Sequence, residues 1–447
     1  MSRRTWVILA LGTLAFLAGS AGAAEPSKPN VVFILCDDLA MGDLGCHGQA
    51  KIKTPHLDQL AKEGVRFTQA YTGAPVCAPS RAVLLTGRHT GHGPIRANRE
   101  IKPEGQLPLP PNTFTVARLF KDQGYTTACT GKWGLGMFDS PGSPLKAGFD
   151  HFFGYNCQRH AHTYFPAYLY RDDQRFTLDG KTYAQNLIAD DTLAWVKANK
   201  DRPFFLYYAL TLPHSKLEID DLGDYARTDW SMEQKTYAAM VSRMDRDIGR
   251  LLALLKELKL DDNTLVVVAG DNGSAFAPDS ALGKFFNQSC GLRGFKRSMY
   301  EGGLRQACIA RWPGTVPAGR VCVEPWAFWD FLPTCQDLLG VKPDAAKTDG
   351  ASVLPLLRGQ PGPKRTCFYW ELHEGGRFIQ AVRFDDWKAV KNGVAAPVEL
   401  YDLKADPGET SNVAAGNPKV LAQASELLRS QRTDDPNWPL PRPPAGK

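Results

Sequence analysis

Short β-branched and aromatic runs alternate with helical stretches along this chain, and this alternation constrains its fold more than any other feature. Four runs predict buried strands, at residues 31–35, 125–129, 204–210 and 265–269. Between the last two, apolar residues recur every three or four positions from Tyr237 to Leu258, which predicts a helix lying on the strands. This order of elements predicts an α/β fold with a mainly parallel central sheet flanked by helices.

The composition changes after residue 358, where glycine and proline form a short linker. Three strand candidates and one helical pattern follow, at 367–370, 378–383, 387–390 and 418–428. They predict a small antiparallel sheet covered by a helix. We therefore expect a large α/β domain, a small α+β subdomain and a proline-rich tail, at residues 24–358, 359–433 and 434–447.

Residues 1–23 have the pattern of an export signal. Arg3 and Arg4 precede an apolar run that ends at Ala18, and small residues at 21–23 form a cleavage site. A membrane anchor is the weaker interpretation, because the run is shorter than the ~20 residues that span a bilayer. We expect an exported protein, periplasmic or secreted, without stable membrane insertion. The formal charge of +6 is too small to indicate nucleic acid as a partner.

The chain has ten cysteines, and none of them belongs to a CxxC pair. This absence argues against zinc-ribbon and thioredoxin-like proteins. Export permits disulfides, and the sequence leaves their connectivity open. Cys36 and Cys129 close apolar strand-like runs, so we expect them to be buried free thiols.

Polar residues follow each predicted strand, where the carboxyl ends of parallel strands form ligand sites. They are Asp37, Asp38, Lys132, His214, Asp271 and Asn272. The aspartates and the asparagine offer only hard oxygen ligands, which suit calcium or magnesium and argue against zinc or copper. With Lys132, His214, Arg81 and Lys296 as cationic or donor groups, the site suits an anion such as a sulfate or phosphate ester.

The most specific local signal is the segment VCAPSRAVLLTGR at residues 76–88. Pro79 can open a helix and Gly87 can end it, which places Cys77 just before a helix N-terminus. Backbone N–H groups there favour an anion and activate a cysteine nucleophile. A purely structural cysteine is the alternative for Cys77 taken alone.

This segment resembles the signature of the type I, formylglycine-dependent sulfatases, and the chain is arylsulfatase-like in several further blocks. Those blocks are NVVFILCDDLAMGDLGCHG at 30–48, TGKWGLG at 130–136, LPHSK at 212–216, VVVAGDNGS at 266–274 and GFKRSMYEGGLRQACIARWPG at 294–314. The blocks occur in the family's order. The resemblance implies an alkaline-phosphatase-like fold and a sulfuric ester hydrolase acting on aryl or carbohydrate sulfates.

The resemblance also implies a mechanism. A maturation enzyme would oxidise Cys77 to formylglycine (3-oxoalanine), whose hydrate attacks sulfur with one hydroxyl and expels sulfate with the other. One calcium ion would be bound by Asp37, Asp38, Asp271 and Asn272 together with residue 77. The remaining roles carried over are those of Arg81 in stabilising the hydroxyl, Lys132 and Lys296 in binding sulfate oxygens, and His214 in protonating the leaving alcohol.

One position departs from the family pattern. The family block commonly reads GKWHLG, whereas this chain has Gly134 in place of the histidine. We expect His160 or His162 to substitute as the base or to bind substrate, because their segment is the richest source of histidine outside the matched blocks.

Two alternatives remain compatible with the sequence. The first is a phosphoesterase of the alkaline-phosphatase-like fold. The second is a non-catalytic protein that binds sulfated glycans and keeps the Cys77 thiol intact. The identity of the sulfated compound, endo or exo cleavage and the oligomeric state stay open.

Overall fold

The structure, a computed structural model, describes residues 28–343 and 348–441. The predicted export signal at residues 1–23 lies outside the described residues. The strands are β1 Asn30–Cys36, β2 Val65–Tyr71, β3 Thr126–Lys132, β4 His151–Tyr155, β5 Tyr168–Arg171, β6 Gln174–Thr177, β7 Phe204–Leu210, β8 Thr264–Gly270, β9 Arg305–Arg311, β10 Arg320–Cys322, β11 Trp326–Ala327, β12 Phe368–Glu374, β13 Arg377–Phe384, β14 Trp387–Lys391 and β15 Val398–Asp402. The helices are α1 Pro55–Glu63, α2 Cys77–Thr86, α3 Val116–Asp122, α4 Ala184–Ala198, α5 Met232–Glu257, α6 Ala281–Phe286, α7 Glu301–Leu304, α8 Phe331–Leu338, α9 Leu354–Leu357 and α10 Pro418–Ser430.

The central sheet contains 11 strands in the order β10-β2-β9-β8-β1-β7-β3-β4-β5-β6, with β11 beside β2. Its middle is parallel, since β1 pairs with β7 and β8, and β3 pairs with β7 and β4. In this register Cys36 of β1 lies opposite Leu210 and Gly270, so three neighbouring strands end at the same level. The predicted α/β class is confirmed, and the polar residues that follow these strands meet at one edge.

Alternate residues of the buried strand β1 enter two separate hydrophobic cores. Phe33 and Leu35 pack on the face covered by α2, α3 and α8, whereas Val32 and Ile34 pack on the face covered by α1, α4 and α5. The predicted helix is α5, which begins with a capping box formed by Ser231 and Gln234. Its apolar stripe is buried against the sheet, as the three- and four-residue spacing predicts.

The sequence did not locate every strand. Strand β3 continues to Lys132, three residues beyond the predicted end, because its Thr-Gly-Lys terminus still pairs with β4. Strands β2 and β9 were not predicted, and they run antiparallel to each other, as β8 does to β9. In β2, half-buried and buried residues mix around a register shift between Phe67 and Ala70, which removes a clear period of two.

The C-terminal elements form the predicted antiparallel sheet, in the order β12-β13-β14-β15. Strand β15 was not predicted, because Val398–Asp402 carries a glutamate and an aspartate among its five residues. Helix α10 covers one face of this sheet through Ala424, Leu427 and Leu428. The other face joins the larger core, where the Trp370 indole donates a hydrogen bond of 2.9 Å to the carbonyl of Thr72.

Residues 434–441 contain no helix or strand, in keeping with their proline content. They nevertheless contact the rest of the fold, because the buried Trp438 donates a 2.8 Å hydrogen bond to the carbonyl of Pro94. All ten cysteines lie in the described parts of the chain and all are free, and Cys36 and Cys129 are buried as predicted. Within 28–343 and 348–441, no helix combines the length and the apolar character that crossing a membrane requires.

A buried ion cluster joins α7 to the C-terminal sheet. The Lys388 ammonium lies 2.8 Å from Glu301 and 3.1 Å from Glu409, and all three side chains are fully buried. Lys388 and neighbouring arginines lower the pKa of Glu301 to about 2 against the opposing effect of burial, whereas burial raises the pKa of Glu409 to about 7. The lysine therefore compensates two carboxylates that have no access to water.

Replacing this lysine should destabilise the protein strongly. We expect Lys388→Met to lower the free energy of unfolding by about 3–5 kcal/mol, because it leaves buried carboxylates without their cation. Denaturant titration measures the change. Lys391→Met, on the same strand but partly exposed, is the control and should cost less than about 1 kcal/mol. Equal effects of the two substitutions would show that the buried cluster does not contribute as described.

Candidate active site

The site begins at the ends of β1 and β8. Asp37 and Asp38 directly follow β1, and Asp271 and Asn272 directly follow its neighbour β8. The backbone N–H of Asp38 donates a 3.0 Å hydrogen bond to Asp271, and the Asn272 side-chain amide donates one of 2.6 Å to Asp38. Asp38 has a φ of 64°, a left-handed conformation that aspartate tolerates better than most residues. The predicted oxygen cluster is thus assembled by the parallel pairing of two strands.

Cys77 is the first residue of α2, so this helix begins two residues before the predicted start at Pro79. The helix ends as predicted at Gly87, whose φ is 68°. The Cys77 thiol donates to Asp37 with a separation of 3.3 Å between Sγ and Oδ1. Burial, and then the charge of Asp37, raises the pKa of the thiol to about 12. An unmodified Cys77 is therefore protonated at neutral pH and a poor nucleophile.

Three cations oppose the three aspartates. Lys132 lies 2.5 Å from Asp37 and Lys296 lies 2.7 Å from Asp38. The guanidinium of Arg81 donates to Asp271 at 2.7 and 3.1 Å and to the carbonyl of Lys132 at 2.8 Å. All six side chains are at least nine-tenths buried. The three positive and three negative charges balance. An additional cation is therefore favoured when an anion binds with it, and an additional anion when a cation binds with it.

The electrostatics of the aspartates differ. Burial alone would raise the pKa of Asp37, but the neighbouring cations, Lys132 foremost, hold it well below its ordinary value. Burial and the charge of Asp37 raise the pKa of Asp271 to about 6. Burial would lower the pKa of Lys296, yet the carboxylate of Asp38 raises it overall. The carboxylate of Asp37 and the ammonium of Lys296 are therefore both ionised at neutral pH.

The clustered side chains could hold a metal ion. One ligand atom from each of Asp37, Asp38, Cys77 and His214 lies within 4.8 Å of the others. The Asn272 carbonyl oxygen is buried and has no hydrogen-bond donor within residues 28–343 and 348–441. An oxygen left without a donor beside clustered carboxylates is an arrangement that a bound metal ion would complete.

Two histidines lie face to face beside this cluster. The rings of His162 and His214 stack with centroids 3.9 Å apart and planes inclined by 12°. Nε2 of His214 lies 3.2 Å from the Lys296 ammonium and 3.5 Å from Asp38. Burial lowers the pKa of His214 to about 4, and burial together with Lys132 lowers that of His162 to about 2. Both imidazoles are therefore neutral at neutral pH.

The structure brings His162 into the site but leaves His160 outside it. His160 lies 3.6 Å from Glu104 and against the ring of Tyr168, with centroids 4.3 Å apart. The other predicted site residues all converge, from strand ends and loops that are far apart in the sequence.

Two residues that the sequence analysis did not single out lie at the edge of the site. Asn156 and Gln158 follow β4 and are buried, and the Gly134 N–H donates to the Asn156 carbonyl at 3.0 Å. Their position after a strand of the parallel sheet is the signal that identifies them.

Comparison with known proteins identifies the family of the chain that carries this site. The sulfatase family profile matches residues 29–341, and a profile described as N-sulphoglucosamine sulphohydrolase, C-terminal, matches 293–433. The chain belongs to the sulfatase family. It is therefore a sulfuric ester hydrolase, and the predicted family and activity are confirmed.

Curated sulfatases match over most of their length. Mouse steryl-sulfatase is 32% identical, with 92% of this chain and 83% of that protein covered. Human arylsulfatase A is 33% identical, with 92% and 89% covered. N-acetylgalactosamine-6-sulfatase of the dog is 33% identical, with 83% and 73% covered. Among solved structures, Ps i-CgsB in complex with k-i-k-neocarrahexaose has a TM-score of 0.81 and 28% identity, covering 93% of this sulfatase and 95% of that chain.

Proposed function

We propose that this sulfatase hydrolyses carbohydrate sulfate esters through Cys77, matured to formylglycine, with one calcium ion bound beside it. The observation that carries the proposal is the 3.3 Å contact of Cys77 with Asp37 inside a buried centre of three carboxylates and three cations. Formylglycine would supply two hydroxyl groups on one carbon, one for attack and one for expelling sulfate. A bound calcium would supply a Lewis acid, held by Asp37, Asp38, Asp271 and Asn272.

The cations of the site have separate tasks in this proposal. Lys132 and Lys296 each approach the cluster with an ammonium group, and these groups bind the oxygens of the substrate sulfate. Arg81 is anchored by Asp271 and by the Lys132 carbonyl, and it lies one helical turn after residue 77. Its fixed guanidinium therefore orients the reacting group of residue 77.

His214 is the proposed general acid. An ammonium only donates hydrogen bonds, so the Nε2 atom facing Lys296 accepts and the ring proton lies on Nδ1. That Nδ1 atom is buried and has no partner within the described residues. The acid itself is the imidazolium, because a neutral ring cannot protonate an alcohol. The negative charge of a bound sulfate ester favours this imidazolium, whose Nε2–H would face Asp38 at 3.5 Å while its Nδ1 proton passes to the leaving alcohol.

His162 is the proposed base for the second half of the reaction. Its Nε2 atom is buried without a hydrogen-bond partner in the described parts of the chain. The ring is neutral and stacks on His214, which lies beside Asp38. Burial and then Lys132 lower its pKa, and the negative charge of a bound sulfate would oppose the effect of Lys132 and favour proton uptake. In this proposal the segment after β4 takes over the function of the missing family histidine.

The carbohydrate substrate is supported by the relatives. N-acetylgalactosamine-6-sulfatase is named for a sugar sulfate, and Ps i-CgsB was solved with a bound hexaose. We also propose export, from the composition of residues 1–23, and a formylglycine-generating enzyme as a transient partner, from the CAPSR motif at 77–81.

The nucleophile is tested by substitution and mass measurement. Cys77→Ser and Cys77→Ala should each lower steady-state hydrolysis of an aryl sulfate by at least about 10³-fold, as expected for loss of a nucleophile. Mass spectrometry of the peptide containing residue 77 should show formylglycine in the active protein. Cys129→Ala removes another buried thiol and should remain active. Full activity with an intact Cys77 thiol would refute the mechanism.

Metal removal should lower activity and stability together. Dialysis against a strong chelator should lower the melting temperature, because an ion bound only by the native state at about 100 times its Kd adds about 2.7 kcal/mol. Calcium should restore the melting temperature and the activity more effectively than magnesium. A chelated protein that keeps both its melting temperature and its activity would exclude the metal site.

His162→Ala should separate the two halves of the reaction. Attack on the sulfate remains possible, so we expect a burst of alcohol release followed by turnover slowed by about 10²-fold or more. Stopped-flow detection of nitrophenol from an aryl sulfate resolves the two phases. His160→Ala is the matched control from the same segment and should show no burst. A raised KM without a burst in His162→Ala would assign this residue to substrate binding.

A further inference from the structure

The side chain of Gln158 lies where a side chain of residue 134 would begin. A Cβ atom built on Gly134 would lie 1.9 Å from Nε2 of Gln158, well inside a van der Waals contact. Gly134 also has a φ of 78°, which disfavours any residue with a side chain. A histidine side chain at position 134 and the side chain of Gln158 would therefore occupy the same space. Position 134 is two residues after Lys132 in the chain.

Gln158 is buried without a partner for either end of its amide. Its exposure is 4%, and neither Nε2 nor Oε1 has a hydrogen-bond partner within residues 28–343 and 348–441. Asn156 is in the same condition, with an exposure of 0% and both side-chain atoms unpartnered. A buried polar group left without a hydrogen bond costs about 1–3 kcal/mol, so two such amides two residues apart in one segment indicate a ligand.

The segment that carries these amides borders the reacting centre. It follows β4, whose last residue, Tyr155, pairs with Lys132 at the end of β3. It continues to His162, which stacks on His214. Asn156 and Gln158 thus lie between the strand end that presents Lys132 and the pair of histidines.

We propose that Gln158, together with Asn156, binds the hydroxyl groups of the sugar that carries the sulfate ester. The inference rests on the proposed function and names the part of the substrate that these residues recognise. Sulfate oxygens only accept hydrogen bonds, so they satisfy the NH₂ end of an amide and leave its carbonyl unpaired. A sugar hydroxyl both donates and accepts, so it satisfies both ends.

The charges of the site agree with this division. The anionic sulfate is matched by Lys132 and Lys296, whereas the amides are neutral and suit the uncharged part of the substrate. A glutamine also cannot take up a proton at ordinary pH. Where the family has a histidine that can transfer a proton, this chain has Gly134 with the side chain of Gln158 beside it. In this proposal that volume therefore serves to bind the sugar and not to transfer a proton.

Substrate discrimination tests the proposal. Gln158→Met keeps the length of the side chain and removes its hydrogen-bonding groups. We expect the ratio of kcat/KM for a monosulfated sugar to that for 4-nitrophenyl sulfate to fall by about tenfold or more, since hydrogen bonds to the sugar are lost. The melting temperature should not fall, because no protein hydrogen bond is broken. Gln336→Met, at a buried glutamine on α8, should leave the ratio unchanged.

The shared volume is tested by a pair of variants. Gly134→His should lower the melting temperature, and adding Gln158→Ala should recover part of the loss because the clash is removed. An unchanged substrate ratio in Gln158→Met, or a double variant no more stable than Gly134→His, would overturn the proposal. Absence of activity on both substrates in the unsubstituted protein would instead refute the proposed function.

Discussion

The pairing of three buried aspartates with three buried cations is the interaction on which the active centre depends. Asp37, Asp38 and Asp271 come from the ends of two adjacent parallel strands, and their cations come from a helix, a third strand and a distant loop. Each charge would be costly alone in this environment, so the six side chains hold one another in place. The parallel register of the two strands brings the three carboxylates together. The segments that carry the cations are held in place by their ion pairs with these carboxylates.

The same balance explains how the site accepts both a cation and an anion. A divalent ion brought to the carboxylates frees the ammonium groups of Lys132 and Lys296 from part of their attraction to aspartate. Those ammonium groups then match the negative charge of a sulfate ester. In the proposed function, binding of the metal and binding of the substrate are therefore expected to favour each other.

Much of the centre could be predicted from the sequence, because strand ends and short motifs are local signals. The run before Asp37 and the run before Asp271 are apolar and uninterrupted, and the CAPSR motif is specific on its own. The role of Lys296 was assigned by resemblance, whereas His214 was also indicated by its position after the strand at 204–210. The placement of His162 and Gln158 could not be predicted, because it depends on the pairing of β3 with the short strand β4. The antiparallel strands β2 and β9 were missed for a related reason, since a bulge interrupts the alternation of β2.

The complete burial of α2 has a consequence for the maturation of Cys77. Every residue of this helix is buried, and Cys77 is exposed by only 1%. Once the helix is packed, no maturation enzyme can reach the thiol without unfolding the surrounding core. Under the proposed mechanism, oxidation of Cys77 must therefore compete with folding, and a molecule that folds first keeps its thiol. Under the proposed mechanism, the active fraction of a preparation therefore depends on how often oxidation precedes folding.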